Sequence, residues 1–190
     1  MSRQWISWLG YAFMISEAVL AIVRRAGRGN ARSADRGSLA LLWAVIFISM
    51  MLAFSVAYSV PAAAMSTAVM GPLRVAGLVI FIAGLALRWY AIIYLGRYFT
   101  VNVAIASDHR VIDTGPYRYV RHPSYSGALL AFLGLGLCLA NWFSLAFAII
   151  PTSCAFLWRI RVEEAALLEG LGGKYRKYML GTRRLIPAIY

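Results

Sequence analysis

The sequence predicts an all-α integral membrane protein with about five transmembrane helices, the last two forming a tight hairpin. Of its 190 residues, 62% are hydrophobic and only seven are acidic, which is more apolar than soluble domains are. The 19 basic residues lie in short blocks between apolar runs, as in the cytoplasmic loops of membrane proteins. Because they form no basic face on a polar domain, we expect no nucleic-acid partner.

Five apolar runs define the predicted helices, since roughly 20 residues suffice to span a bilayer. The runs cover residues 5–23, 39–60, 72–95, 123–140 and 143–158. Pro61 ends the second run, and Pro72 is expected to open the third, because proline suits the first position of a helix. Only residues 141–142 join the last two runs, which implies an antiparallel hairpin.

These runs divide the chain into two predicted parts. Residues 1–71 hold the first two transmembrane helices. Residues 72–190 form a core that combines the other three helices with the loop 96–122 and the tail 159–190 in one structural unit.

The basic residues are spread unevenly among the connections. Five lie between the first two runs, four in the loop 96–122 and seven in the tail, whereas the connections after the second and fourth runs carry none. The positive-inside rule therefore predicts an outside N-terminus and a cytoplasmic C-terminus, at the inner membrane if the protein is bacterial. A pocket formed by the loop and the tail would then face the cytoplasm.

Two charged residues and two cysteines inside the predicted spans have side chains whose role needs an explanation. Glu17 and Arg88 both lie toward the cytoplasmic ends of their helices. Charged residues in a bilayer pair with one another or mark a functional site, and we favour a structural ion pair between these two over a direct catalytic role. Cys138 and Cys154 lie in apolar runs, where a thiol behaves as a small hydrophobe. We infer neither a disulfide nor a metal site from them.

The stretch 115–127 places polar, cationic and aromatic residues directly before an apolar run. Pro123 suits the first position of the fourth helix, and the N–H groups that follow it would form an anion-binding helix end. Arg121 and His122 lie just outside that end. The alternative interpretation is a membrane-interface anchor, because arginine and tyrosine collect at the headgroup level.

A second polar stretch begins where the fifth run ends. If the helix continues there, Arg159 and Glu163 are four residues apart and share a face. Adjacent Glu163 and Glu164 at an anionic membrane surface are not favoured by anchoring alone, so we expect them to bind a cationic or hydroxyl-rich ligand. The pair Gly172-Gly173 then breaks the helix. S-adenosylmethionine has an amino-acid head, a cationic centre and a ribose-adenine tail, which suit the two stretches together.

Residues 75–190 resemble the isoprenylcysteine carboxyl methyltransferase family, integral membrane methyltransferases related to the phospholipid N-methyltransferases. The first two runs match that family only in general character. The ordered pair of an Arg-His-Pro block and a Glu-Glu block is the specific part of the resemblance. The matching residues are 95–100, 109–112, 115–117, 121–125 and Gly127, followed by 163–164, Leu167, Gly172, Tyr175, Tyr178 and 182–187.

The resemblance implies methyl transfer from S-adenosylmethionine to a lipid-like acceptor in the membrane, and it favours the carboxylate of a prenylated cysteine. It implies that the acceptor enters from the bilayer among membrane lipids, and that Arg159 orients its carboxylate. No metal is implied. The cofactor-binding residues it implies are His109, Val111, Ile112, Tyr117, His122, Pro123, Ser124, Tyr125, Glu163 and Glu164.

Three alternatives stay open at this stage. The acceptor could be a phospholipid, another amine or a thiol, and an amine would require a base to remove a proton. The protein could instead be a non-catalytic membrane scaffold that has kept the pocket. A sterol-reductase-like oxidoreductase is the third alternative, although the sequence contains no dinucleotide-binding fingerprint.

Overall fold

The computed structural model describes residues 4–23, 32–33, 37–99, 104–105 and 110–190. Within these ranges the fold is helical apart from one antiparallel ladder of two-residue strands, which confirms the all-α prediction. The elements are α1 Gln4–Val23, β1 Arg32–Ser33, α2 Ser38–Ser59, α3 Thr67–Leu95, β2 Ala104–Ile105, α4 Pro123–Leu139, α5 Trp142–Leu171 and α6 Gly173–Gly181. Short 3₁₀ turns cover Pro61–Ala63, Gly96–Tyr98 and Gly115–Arg118.

All five predicted apolar runs form helices. Among the described residues, three stretches are long and apolar enough to cross a membrane by length and composition: Ser38–Ser59, Thr67–Tyr98 and Trp142–Leu171. The helix α4 is also apolar, but it has only 17 residues. The structure therefore supports an integral membrane fold with three candidate spans.

Two helices differ from their apolar runs, but only the start of α3 departs from a predicted boundary, because Gly172 ends α5 as expected. Pro72 does not open α3, which begins at Thr67 and contains the proline in its second turn. The missing N–H is tolerated there because the carbonyl of Ala68 lies near an exposed helix end, where water can satisfy it. The helix α5 does not stop with its apolar run at residue 158 but continues to Leu171, and Gly172 then ends it with a positive φ of 56°.

The predicted hairpin between α4 and α5 is confirmed. Ala140 adopts the left-handed conformation that ends α4, and Asn141 caps α5 by accepting the Ser144 N–H at 3.1 Å. The same Asn141 side chain donates to the Val60 carbonyl at 3.1 Å, which fastens the hairpin to the end of α2.

A glycine seam, formed by Gly77 and Gly84 on α3 and Gly127 and Gly134 on α4, holds these two helices in backbone contact. The glycines are seven residues apart on each helix and face each other in antiparallel order. A Cβ atom on Gly84 would lie 2.6 Å from the Gly127 carbonyl oxygen, and one on Gly134 would lie 2.5 Å from that of Gly77. Small residues permit this approach, which is a common basis of helix association in membranes.

The hypothesis of a pair between Glu17 and Arg88 is confirmed. The Arg88 Nε and Nη2 atoms both lie 2.5 Å from carboxylate oxygens of Glu17, and both residues are buried. The third guanidinium nitrogen of Arg88 donates to the Ser124 carbonyl at 3.1 Å. The ion pair thereby connects α1 and α3 to the first turn of α4.

Candidate active site

The loop before α4 is held against the end of α3 by tyrosines. The Tyr94 hydroxyl donates to the Thr114 hydroxyl at 2.9 Å, and its ring lies so close to Gly115 that a Cβ there would be 2.4 Å from it. The buried Tyr117 hydroxyl donates to the Ala91 carbonyl at 3.2 Å. Burial raises the pKa of the Tyr117 phenol, so it stays a hydrogen-bond donor at neutral pH.

Pro123 occupies the start of α4, as predicted, with His122 as the capping residue before it. The anion-binding end is smaller than expected. The Tyr125 and Ser126 N–H groups already donate to the His122 carbonyl, at 3.0 and 3.1 Å. The tight first turn uses these donors within the helix, so the Ser124 N–H is the remaining backbone group of that turn that suits a ligand.

The tail after α6 pairs with the loop before α4. The Arg121 and His122 N–H groups donate to the carbonyls of Arg183 and Arg184, at 2.7 and 3.0 Å. The Ser126 hydroxyl donates to the Leu185 carbonyl at 2.6 Å. The loop and the tail therefore meet around the start of α4, as the predicted pocket requires.

Helix α6 adds a further contact to this pairing. The Tyr178 hydroxyl donates to the Tyr117 carbonyl at 2.6 Å. Burial raises the pKa of the Tyr178 phenol, so this donor also stays protonated at neutral pH.

Glu164 lies at the centre of a buried charge cluster made with Arg121, His122 and Arg184. One carboxylate oxygen accepts from Arg121 Nε at 2.8 Å, and the other accepts from Arg184 Nε at 2.9 Å. The His122 Nε2 atom lies 3.4 Å from the first oxygen. Its carboxylate holds the loop and the tail to α5, and cofactor binding by Glu164 stays a prediction.

Glu163 differs from its neighbour because helix α5 turns it toward another partner. Its carboxylate accepts from the Tyr125 hydroxyl at 2.8 Å and lies 3.9 Å from His122 Nδ1. The Glu163 side chain is 30% exposed, so a ligand can reach it. The His122 and Tyr125 rings stack with centroids 5.5 Å apart. His122 and Glu163 are therefore close enough to contact one small molecule.

The remaining predicted cofactor residues lie around this point or outside the described residues. Pro123 and Ser124 are buried in the first turn of α4, where the Ser124 carbonyl accepts from Arg88. Val111 and Ile112 are half-buried in the loop. His109 lies outside the described residues.

Arg159 lies one helical turn before Glu163 and is fully buried. It donates to the Ser38 hydroxyl at the start of α2, and it lines the same cavity as Tyr125. Tyr125 thus adjoins both the cavity that Arg159 lines and the Glu163 carboxylate.

Arg159 lines a small cavity of about 30 Å³ in the helix bundle. The other lining residues are Phe13, Glu17, Leu20, Leu39, Leu42, Trp43, Ile46, Arg88, Phe99, Tyr125 and Phe156. Those from α1 and α2 were missed as site residues by sequence reasoning, which singled out only Glu17 in that region. Aliphatic and aromatic residues are expected in any membrane helix, so their pattern carried no signal of a cavity.

Comparison with known proteins agrees with this arrangement. Residues 76–169 match the isoprenylcysteine carboxyl methyltransferase (ICMT) family. This segment of the chain belongs to the family. Arg88, His122, Arg159 and Glu163 all lie in the matched segment, whereas α1 and α2 lie before it.

The relatives match somewhat more than half of the chain. Protein-S-isoprenylcysteine O-methyltransferase B of Arabidopsis thaliana is 39% identical over 116 residues, which are 60% of this chain and 58% of that protein. The Saccharomyces cerevisiae protein-S-isoprenylcysteine O-methyltransferase is 37% identical over 106 residues, or 55% of this chain and 44% of that protein. The chain thus spans about half the length of these relatives.

A solved structure has a similar fold. The eukaryotic intramembrane Ras methyltransferase ICMT superposes with a TM-score of 0.64 at 30% identity, covering 79% of this chain and 53% of that one. This ICMT-like integral membrane fold extends beyond the segment matched in sequence.

Glu164→Gln tests the charge cluster. Breaking a buried ion pair costs about 3–5 kcal/mol, and the loss should loosen the tail from the loop. We expect a lower thermal midpoint in detergent and faster proteolysis within residues 172–190. Glu169→Gln, an exposed position on the same helix, is the matched control and should change neither; equal behaviour of the two variants would contradict the role of Glu164.

Proposed function

We propose that the protein is an S-adenosylmethionine-dependent carboxyl methyltransferase whose acceptor is a prenylated cysteine in the bilayer. The observation that carries the proposal is the arrangement around Tyr125. On one side, His122 and the partly exposed Glu163 lie 3.9 Å apart. On the other side, Arg159 is buried in a mainly apolar cavity. The names of the ICMT relatives support the same reaction.

The residues of the polar side fit the cofactor. The buried His122 ring lies with its Nδ1 atom 3.9 Å from the partly exposed Glu163 carboxylate, so a polar ligand group can bind between these two side chains. His122 and the Ser124 N–H would hold the cofactor's carboxylate, and Glu163 would hold its ammonium group or ribose hydroxyls. Tyr117, Val111 and Ile112 are proposed to enclose its apolar parts. When bound, the cofactor supplies an electrophilic methyl group on a sulfonium.

The charge and the apolar character of the cavity lining suit an acceptor with an anionic head and an apolar tail. Arg159 can bind a carboxylate through two parallel hydrogen bonds, which also fixes the orientation of the carboxylate. A carboxylate is already ionised at pH 7, so the reaction requires alignment and exclusion of water but no general base. Among the described lining residues the one carboxylate, Glu17, is paired with Arg88, which disfavours an amine acceptor that needs a base.

The proposed topology follows from the distribution of basic residues. The N-terminus lies outside and the C-terminus in the cytoplasm, where the soluble cofactor enters. The prenyl chain enters from the bilayer between the helices. Residues 1–71 supply the first two transmembrane helices, and residues 72–190 supply the catalytic core.

Glu163→Ala tests the cofactor site. Removing the exposed carboxylate should weaken S-adenosylmethionine binding by at least about tenfold, the equivalent of about 1.4 kcal/mol. Isothermal titration calorimetry of purified protein in detergent measures this directly, with Glu169→Ala as the control on the same helix. The absence of binding heat from the wild type up to millimolar cofactor would rule out the proposed activity.

Arg159→Ala tests the acceptor site. The wild type should methylate a farnesylated cysteine analogue in preference to phosphatidylethanolamine. Arg159→Ala should retain cofactor affinity but lower kcat/KM for that analogue by about 10²-fold or more, because truncating a buried charge partner costs about 2–5 kcal/mol. Arg161→Ala, at an exposed position two residues away, is the control. Unchanged kinetics of Arg159→Ala would overturn the carboxylate assignment.

A further inference from the structure

Three ionised side chains line the cavity that holds Arg159. Glu17 comes from α1, Arg88 from α3 and Arg159 from α5. All three are buried, with 4%, 7% and 1% of their surfaces exposed. One carboxylate and two guanidinium groups give the lining a net charge of +1.

Arg88 is occupied by partners within the protein. Its Nε and Nη2 atoms bind the two carboxylate oxygens of Glu17, each at 2.5 Å, in the two-pronged geometry that an acceptor carboxylate would otherwise adopt. Its Nη1 atom donates to the Ser124 carbonyl at 3.1 Å. Glu17 therefore fills the face of Arg88 that could compete with Arg159 for an anionic headgroup.

We propose that Glu17 is a specificity-determining residue: by pairing with Arg88 it keeps the net charge of the cavity lining at +1 and selects acceptor headgroups with a single negative charge. This inference rests on the proposed function, since it specifies the acceptor of that same site. It assigns Glu17 a role in selectivity and no part in the methyl-transfer step.

The selectivity follows from the cost of unbalanced charge in an apolar cavity. A monoanion balances the +1 lining, whereas a dianion leaves one negative charge buried without a partner. A neutral headgroup leaves the positive charge unbalanced. Rejection of the wrong headgroup through an unpaired charge is a general route to specificity.

Glu17 lies outside the part of the chain that matches the ICMT family in sequence. It lies on α1, before the segment 76–169 that matches the ICMT family. The cofactor-side residues His122 and Glu163, and also Arg159, lie inside that segment. Helix α1, which lies outside the matched segment, therefore supplies part of the cavity lining. Because the sequence match does not cover this helix, the headgroup preference of the cavity has to be measured on this protein.

A series of charge variants tests the proposal through binding alone. Glu17→Gln raises the lining charge to +2, Arg88→Met lowers it to 0, and the double variant E17Q/R88M returns it to +1. Three farnesyl probes differ in headgroup charge: farnesol is neutral, farnesylthioacetate is a monocarboxylate, and farnesyl monophosphate is close to a dianion at pH 8. Affinities are measured by calorimetry in detergent, and retained S-adenosylmethionine binding verifies that each variant is folded.

The expected affinities follow the lining charge. The wild type should prefer the monocarboxylate to both other probes. Glu17→Gln should raise the phosphate-to-carboxylate affinity ratio at least about tenfold, because the added unit of positive charge in the lining balances the second negative charge of the phosphate. Arg88→Met should weaken both anions at least about tenfold relative to farnesol, and E17Q/R88M should restore the wild-type order. Glu169→Gln removes an exposed acid from α5 and should leave all ratios unchanged.

Several results would overturn the inference. An unchanged phosphate-to-carboxylate ratio in Glu17→Gln is one, and failure of the double variant to restore the wild-type order is another. If Glu17→Gln does not fold, the opposite-sign shift in Arg88→Met and its reversal in E17Q/R88M still decide the question. Failure of the proposed function would be seen separately, as wild-type protein that binds these probes in the charge-dependent order but methylates no prenylated carboxylate.

Discussion

The candidate site depends on the ion pairs that the buried Glu164 carboxylate forms with two arginines. This carboxylate joins α5 to Arg121 of the loop, which lies 43 residues before Glu164 in sequence, and to Arg184 of the tail, which lies 20 residues after it. Two guanidinium groups offset the cost of burying this carboxylate. Because it fixes the loop and the tail together, the backbone of Arg183–Arg184 can accept the N–H groups that precede α4 and so set the position of His122.

The division of labour between Glu163 and Glu164 follows from helix geometry. Consecutive residues of a helix point about 100° apart, so one glutamate faces the arginines while the other faces Tyr125. Arg159, four residues before Glu163, lies on the same side and reaches the cavity. The single helix α5 therefore fixes the relative positions of three side chains. They are Glu164, which holds the loop and the tail, Glu163, the candidate cofactor ligand, and Arg159, the candidate acceptor ligand. The glycine seam holds α3 and α4 in close backbone contact. This contact brings Arg88 of α3 to the first turn of α4, where it donates to the Ser124 carbonyl.

Much of this fold could be predicted from sequence because its signals are local. Apolar runs predicted all five helices, Pro123 predicted the start of α4, and Gly172 predicted the end of α5. The common face of Arg159 and Glu163 followed from their spacing. The pairing of Glu17 with Arg88 was also predictable, because a buried charge in a membrane requires a partner.

The features that sequence reasoning missed depend on partners far apart in the chain. Nothing local distinguishes Glu164 from Glu163; only the folded positions of Arg121 and Arg184 reveal that its carboxylate is occupied. The contact of Arg159 with Ser38 likewise joins residues 121 positions apart. Pro72 misled the prediction because proline is compatible with both the first turn of a helix and an early exposed turn.

A structure of the protein with S-adenosylhomocysteine and a farnesylcysteine analogue, solved in a lipid nanodisc, tests the central claim most directly. The account predicts that the nucleoside ligand contacts both His122 and Glu163, while the acceptor carboxylate contacts Arg159 on the other side of Tyr125. Glu164 should keep its two arginine partners. A nucleoside ligand bound away from His122 and Glu163, or an acceptor carboxylate remote from Arg159, would contradict the account.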